Sequence, residues 1–235
     1  VLFNPVISTM TKRTTKDPVN QPNIEFAELR GAVSLGLLKS REWIEDPRRF
    51  LFSQARYKFV SKMLSGRQNV IEIGCGDGFN VPIVMQEVKA LTITDFDEEF
   101  IKDAIAHRPP EYPYVAKVHN FLDGPIDGMF DAAYSLDVLE HIEASAERRF
   151  LGNIMKCLSR EAVLIVGMPS LESQAYASPG SKAGHINCKT GPDLKSLIGE
   201  FFHSVFLFSV NDEVVHTGFH KMAHYIIAMG AHPKS

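Results

Sequence analysis

The part of the sequence best suited to chemistry lies at residues 70–81, VIEIGCGDGFNV, where a β-branched apolar run leads directly into a glycine-rich turn. Such a run is typical of a strand buried on both faces of a parallel sheet. Glycines allow positive φ in the turn and let a ligand approach the backbone where a Cβ would clash. A helix predicted from Asn80 to Val88 would direct its free N–H groups towards that ligand. The segment therefore predicts a site for a nucleoside cofactor.

Two acidic residues in this segment indicate the charge of the ligand. Glu72 lies just before the first glycine, and Asp77 lies within the turn. In a dinucleotide site the pyrophosphate lies against the glycines, so a carboxylate in the turn would repel it. The glycine spacing also differs from G-x-G-x-x-G, whose third glycine comes one residue later. The turn therefore favours a ligand that carries a positive charge.

At these residues the sequence resembles the class I S-adenosylmethionine-dependent methyltransferases, whose first motif reads E/D-x-G-x-G-x-G. A second similarity lies at residues 130–141, where FDAAYSLDVLEH resembles the family motif F-D-x-x-x-x-x-x-V-L-E-H. The alternative for the turn alone, an ordinary strand-to-helix connection, is disfavoured because the later motif is in register. The resemblance covers residues 56–231 and implies S-adenosylmethionine as the cofactor. The sulfonium and amino groups of that cofactor are positive, which fits the carboxylates.

The predicted cofactor contacts lie where the strands end. A βαβ unit places its ribose-hydroxyl acceptor about 20 positions beyond the glycine turn, where Asp95 stands. Phe96 can offer its ring face to the adenine. Asn120 stands where the family usually has Asp, and its side-chain carbonyl can still accept from the adenine amino group. The full predicted set is Glu72, Gly74, Cys75, Gly76, Asp77, Gly78, Asp95, Phe96, Asn120, Phe121, Ser135 and Leu136.

Two histidines are candidates for catalysis. His185 lies in a long segment, residues 171–190, that is rich in Ser, Gly and Ala and predicts a lid or binding loop. It titrates near neutral pH and could take a proton from an acceptor hydroxyl, or it could instead bond the lid backbone or orient the substrate. His141 is a second candidate base. Because V-L-E-H recurs in methyltransferases of varied chemistry, packing or cofactor contact is the favoured role for His141.

Contacts to the methyl acceptor are predicted near both ends of the chain. Trp43 and Tyr57 lie in N-terminal helices that close the acceptor pocket in the family, although either could be a core residue. His216 and His220 lie in the connection before the last strand. Together with His224 they are spaced by four, which on a helix could chelate a metal. The flanking sequence predicts a hairpin, so no metal site is predicted.

Length and composition predict one α/β domain. Of the 235 residues, 45% are hydrophobic and 23% are charged, which is ordinary for a globular protein. The net charge of −3 gives no general attraction to nucleic acid or to anionic membranes. The three cysteines lack the spacing of a disulfide framework or zinc site and favour the cytoplasm. No apolar run approaches the ~20 residues that cross a bilayer, and the N-terminal run is too short for a signal peptide.

The resemblance implies a Rossmann-like α/β fold that holds these residues. The expected sheet is mixed and seven-stranded, in the order 3-2-1-4-5-7-6, with helices on both faces. Residues 1–55 are predicted to form an N-terminal arm and helical cover, and residues 56–235 the methyltransferase domain. Asp46 and Asp97 are expected to cap the helices that follow them.

The predicted activity is O- or N-methylation of a small molecule, such as a sugar or a secondary metabolite, by a monomer or homodimer. Methyl transfer mainly requires that nucleophile and methyl group be aligned, so no catalytic triad is expected. One alternative is a protein or RNA methyltransferase. The absence of an N/D-P-P-Y/F string after the fourth strand argues against methylation of exocyclic amines in nucleic acid. Another alternative is a non-catalytic partner subunit that binds S-adenosylmethionine.

Overall fold

The computed structural model describes residues 13–234. The chain divides into two compact units, residues 1–34 and residues 35–235. The first unit, described from residue 13, contains the helix α1 (Gln21–Arg30), which ends at Gly31 with a φ of 76°. The predicted domain boundary after residue 55 remains a prediction. Within the described residues, no helix has the length and apolar character needed to cross a membrane.

The second unit contains the remaining helices and the sheet. Its helices are α2 (Leu37–Glu45), α3 (Pro47–Met63), α4 (Val81–Met85), α5 (Glu98–Ala106), α6 (Glu147–Met155), α7 (Pro179–Gly184) and α8 (Gly191–Gly199). Its strands are β1 (Val70–Ile73), β2 (Leu91–Asp95), β3 (Val115–Val118), β4 (Phe130–Leu136), β5 (Leu158–Pro169), β6 (Phe202–Asn211), β7 (Val214–His216) and β8 (Tyr225–Pro233).

The sheet has the order β3-β2-β1-β4-β5-β8-β6-β7, which confirms the Rossmann-like α/β class. β1 to β5 pair in parallel, whereas β8 runs antiparallel to both β5 and β6. The predicted number of seven strands is wrong, because the described sheet has eight. The additional strand, β7, arises where Asp212 adopts a φ of 52° and reverses the chain, so that Val214 pairs with Asn211. Without this short edge strand, the predicted order remains.

Apolar side chains cover both faces of β1 and fix the position of the turn that follows it. Val70 and Ile71 are both buried, and they belong to clusters on opposite faces of the sheet. Parallel strands covered on both faces bind ligands at their carboxyl ends. The predicted caps are also present: the Asp46 side chain accepts from the Arg48 N–H at 3.3 Å, and Asp97 accepts from the Glu99 N–H at 2.9 Å.

Candidate functional site

A cavity of about 670 Å³ lies at the carboxyl ends of β1, β2 and β4. This volume is typical of sites that bind small molecules and cofactors. The helices α2 and α3 contribute to its wall through Leu38, Lys39, Glu42, Ser53 and Tyr57. The predicted cofactor residues that line it are Gly74, Cys75, Gly76, Asp77, Asp95, Phe96, Asn120, Phe121 and Leu136.

The other three predicted cofactor residues lie behind the cavity wall and support it. The buried Glu72 carboxylate accepts from Tyr57 Oη at 2.5 Å and from Tyr134 Oη at 2.8 Å. Ser135 Oγ donates to the Ile73 carbonyl at 3.1 Å, which ties β4 to β1. Gly78 has a φ of 67°, and a Cβ there would lie 2.9 Å from the Ala104 Cβ. Gly78 therefore allows the turn to pack closely on α5.

The carboxylates of Asp77 and Asp95 lie at the cavity, and that of Glu72 lies behind its wall. Asp95 is almost buried and accepts from the backbone N–H groups of Gly76 and Asp97, each at 3.0 Å. Burial raises the pKa of Glu72 to about 7, and the negative charges of Asp95 and Asp77 act in the same direction. Burial also raises the pKa of Asp95. A ligand with a positive charge would relieve this unfavourable concentration of negative charge.

Asp77 also attaches helix α2 to the glycine-rich turn. Its Oδ2 accepts from the Lys39 N–H at 2.8 Å, and Asp103 Oδ2 accepts from the Leu37 N–H at 2.8 Å. These N–H groups belong to the first turn of α2, whose N-cap, Gly36, has no side chain to satisfy them. The sequence analysis missed this role of Asp77 and Asp103. A helix start without a capping side chain is the signal that could have revealed it.

The close packing of the turn predicts a large effect for Gly74→Ala. Gly74 has a φ of 78°, and a Cβ there would lie 2.2 Å from Val138 Cγ2. We expect a loss of about 2–5 kcal/mol in the free energy of unfolding, from the left-handed backbone and from overpacking. Equilibrium unfolding in urea measures this change in the free energy of unfolding.

Gly66→Ala is a matched control. Gly66 has a φ of 83°, and among residues 13–234 no heavy atom lies within 4 Å of the position that a Cβ would take there. Gly66→Ala should lower the free energy of unfolding by only about 1–2 kcal/mol, because only the backbone conformation is unfavourable. Adding Val138→Ala to the Gly74→Ala protein should restore part of the stability, because it removes the clashing methyl group. Equal losses at the two glycines would contradict the packing argument.

The candidate catalytic and acceptor residues lie in different places. Tyr57 and His141 line the cavity. His185 lies behind His141, with 5.3 Å between the ring centroids. Trp43 is 54% exposed, packs edge-on against Phe50 and is not among the lining residues.

His216 and His220 are also absent from the residues that line this cavity. His216 contacts Asn211 Oδ1 at 2.8 Å through Nε2 and accepts from the Gly218 N–H at 2.9 Å through Nδ1. Its bonds therefore stabilise the hairpin. His220 begins a short 3₁₀ turn, residues 220–222. The structure does not place either histidine at the cavity, so their acceptor role remains a prediction.

An ion pair that sequence analysis missed supports the wall beside His141. Asp137 has a φ of 57°, and its carboxylate accepts from Arg56 Nη1 at 3.1 and 3.2 Å. The Arg56 guanidinium also lies 3.6 Å from the centroid of the Tyr225 ring. These contacts hold the start of the segment that carries Glu140 and His141. Arg56 lies 81 residues from Asp137 in the sequence, so no local pattern could have paired them.

The chain is similar in sequence to known proteins over the region that contains the glycine-rich turn, Glu140 and His141. Residues 71–164 match the family described as "Methyltransferase domain". The chain is 28% identical over 120 residues to a probable S-adenosylmethionine-dependent methyltransferase of Mycobacterium tuberculosis. That alignment covers 49% of this chain and 42% of the relative, so the chain spans less than half of the relative's length.

Two solved structures share the fold at low sequence identity. The N-methyltransferase NodS from Bradyrhizobium japonicum, in complex with S-adenosyl-L-homocysteine, has a TM-score of 0.61 and 18% identity. The match covers 82% of this chain and 91% of NodS. An S-adenosylmethionine-dependent methyltransferase from Clostridium acetobutylicum has a TM-score of 0.63 and 10% identity, and the match covers 82% of this chain and 96% of that one.

Proposed function

Since the chain carries a class I S-adenosylmethionine-dependent methyltransferase domain, we propose that it transfers the cofactor's methyl group to an oxygen or nitrogen of a small molecule. A sugar or another secondary metabolite is the acceptor class that we favour. The observation that carries the proposal is the cavity itself, which combines a glycine-rich turn with the carboxylates of Asp77 and Asp95. The cofactor's cationic groups are complementary to these carboxylates.

The residues around the cavity fit the parts of S-adenosylmethionine. Asp95 ends β2 and can accept from the ribose hydroxyls. Phe96 and Phe121 supply aromatic carbon for the adenine, and Asn120 stands beside them. Asn120 Oδ1 already accepts from the Leu122 N–H at 3.0 Å, and a carbonyl oxygen can accept a second bond. Gly74 and Gly76 line the cavity, and the side chains of Val138 and Leu38 pack where their Cβ atoms would lie.

Bound S-adenosylmethionine supplies a methyl carbon that its sulfonium already activates. The chain must therefore align the acceptor, exclude water and, for a hydroxyl, receive its proton. His141 lines the cavity, and His185 lies against it. Burial and the neighbouring His141 lower the pKa of His185 and so favour its neutral form, which can accept a proton. This pair is the proposed proton acceptor, and Tyr57, which lines the same cavity, is a proposed contact to the methyl acceptor.

The net charge of −3 favours a small molecule over RNA, because it supplies no general attraction to phosphates. NodS is an N-methyltransferase by its title. At 18% identity it shares the fold alone, so an amine acceptor is retained beside a hydroxyl. We propose that the protein acts in the cytoplasm, as a monomer or a homodimer.

Transfer of a labelled methyl group tests the proposal. The full chain and labelled S-adenosylmethionine are incubated with separate panels of sugars and other hydroxyl compounds, small amines, peptides and RNA. We expect label in a small-molecule panel. Label in RNA or peptides alone would replace the proposed acceptor class. Binding of S-adenosylhomocysteine without any labelled product would instead favour a non-catalytic partner subunit.

A further inference from the structure

Three groups that ligate metals meet beside the cavity. Glu140 and His141 lie in a 3₁₀ turn, residues 139–141, shortly after β4. His185 directly follows α7. One carboxylate oxygen of Glu140 and one ring nitrogen of each histidine all lie within 4.8 Å of one another. Since His185 comes from a separate segment, the fold and not the local sequence brings the three together.

Glu140 is the unusual member of the group. It is completely buried, and neither of its carboxylate oxygens has a hydrogen-bond partner among residues 13–234. A buried polar group without a partner is costly whether it is charged or neutral. Arg56 acts electrostatically on Glu140, but within residues 13–234 no hydrogen bond joins the two side chains. The Arg56 Nη1 donates to Asp137, and its buried Nε also has no hydrogen-bond partner among the described residues.

Among residues 13–234, each of the two imidazoles has a hydrogen bond at Nδ1 and none at Nε2. His141 Nδ1 lies 2.8 Å from the Gly184 carbonyl, which can only accept, so Nδ1 carries the proton. His185 Nδ1 lies 3.2 Å from Gln174 Oε1. The Gln174 amide nitrogen donates to the Ser170 carbonyl at 3.3 Å, which directs its oxygen towards His185. Each Nε2 therefore keeps its lone pair, as in histidines that ligate metals.

The separation of these groups suits a single ion. Three ligand atoms bound tetrahedrally to one ion at ~2.1 Å lie about 3.4 Å from one another, so groups that lie within 4.8 Å must approach by at most about 1.4 Å. Two neutral imidazoles and one carboxylate carry one negative charge, and nitrogen with oxygen donors suits first-row divalent ions. His141 is exposed and lines the cavity, which gives an ion access from solvent.

We propose that Glu140, His141 and His185 bind one divalent first-row transition-metal ion at the wall of the cavity. The ion supplies the missing partner of the Glu140 carboxylate. It leaves coordination positions for water or for an acceptor oxygen, whose pKa a bound cation would lower. This site goes beyond the proposed methyl transfer, because metal binding can be measured without a methyl acceptor. It also departs from the expectation that the chain has no metal site.

Titration of the metal-free full chain with Co²⁺, followed by visible absorption, tests the proposal. We expect saturation at about one equivalent per chain. Glu140→Gln, His141→Ala and His185→Ala should each weaken Co²⁺ binding by more than about 10-fold, since even an outer-shell partner contributes 10–100-fold to metal affinity. The matched controls are Glu143→Gln and His203→Ala, because both residues are exposed and lie outside the group. They should bind Co²⁺ like the unaltered chain.

Binding of S-adenosylhomocysteine by the same variants separates metal loss from unfolding. We expect Glu140→Gln to retain that binding. Co²⁺ affinity unchanged by Glu140→Gln would overturn the proposal, because it would show that the carboxylate is not a ligand. Co²⁺ binding that does not saturate, or that the histidine substitutions leave unchanged, would also overturn it. None of these outcomes depends on methyl transfer, so the proposed function can stand or fall separately.

Discussion

Replacing Asp95 by Ala should weaken the binding of S-adenosylhomocysteine by about 1–3 kcal/mol, or roughly 5- to 150-fold. The carboxylate lies at the end of β2 and lines the cavity, where it can accept from both ribose hydroxyls. Removal would leave those hydroxyls without an acceptor in a site shielded from water. It would also free the Gly76 N–H, which Asp95 now holds at 3.0 Å. Isothermal titration calorimetry measures the change in affinity.

Two further variants make this prediction specific. Asp95→Asn keeps the size and one acceptor oxygen, so its loss of affinity should be smaller than that of Asp95→Ala. Asp127→Ala removes an exposed carboxylate outside the cavity and should leave affinity unchanged. Urea unfolding of each variant shows whether a loss of binding reflects a loss of fold. Unchanged affinity in folded Asp95→Ala would remove Asp95 from the ribose role.

Local sequence patterns were sufficient to predict that β1, the glycine-rich turn and Asp95 lie together at one end of the cavity. The buried strand β1, the glycines and Asp95 follow one another within 26 residues, and each depends on its immediate neighbours. The edge strand β7 was not predicted, because it consists of three residues and depends on a non-glycine residue, Asp212, with positive φ. Asp adopts positive φ more often than most residues do, but a single sequence does not show which Asp does so.

The acceptor side was harder to predict, because it depends on which face of each helix meets the cavity. In α2 the side chains of Lys39 and Glu42 line the cavity, and they are three residues apart. Trp43 follows Glu42 by one position, about 100° around the helix, and is largely exposed. The rotation of α2 about its axis depends on the bonds that Asp77 and Asp103 accept from its first turn, which no local pattern within α2 shows.

The contact between His141 and His185 was beyond sequence analysis for a related reason. The bond from His141 Nδ1 to the Gly184 carbonyl spans 43 residues and brings the segment after β5 back to the end of β4. Each histidine was found as a separate candidate base. Their proximity, and the absence of a partner for Glu140 among the described residues, appear only when the strands are arranged side by side.

Replacing His185 by Ala should lower turnover by about 10²–10⁴-fold, the range for loss of a group that handles a proton in the transition state. Affinity for S-adenosylhomocysteine should change less than about twofold, because His185 is not among the residues that line the cofactor cavity. His203→Ala is the matched control, since His203 is exposed and lies outside the residues that line the cavity and outside the group formed by Glu140, His141 and His185. Turnover is measured with the acceptor that the labelling experiment identifies.

The turnover of His185→Ala with added Co²⁺ distinguishes a metal-ligand role for His185 from a direct proton-acceptor role. If His185 is a ligand, Glu140 and His141 still bind the ion weakly after His185→Ala, so saturating Co²⁺ should restore part of the turnover by mass action. If His185 takes the proton directly, Co²⁺ restores nothing, because no base remains at that position. The ligand role predicts restoration in His185→Ala and none in the His141→Ala, His185→Ala double variant, which keeps a single ligand. If His185→Ala lowers turnover by only a few fold, both roles are contradicted, and His185 would instead orient the acceptor.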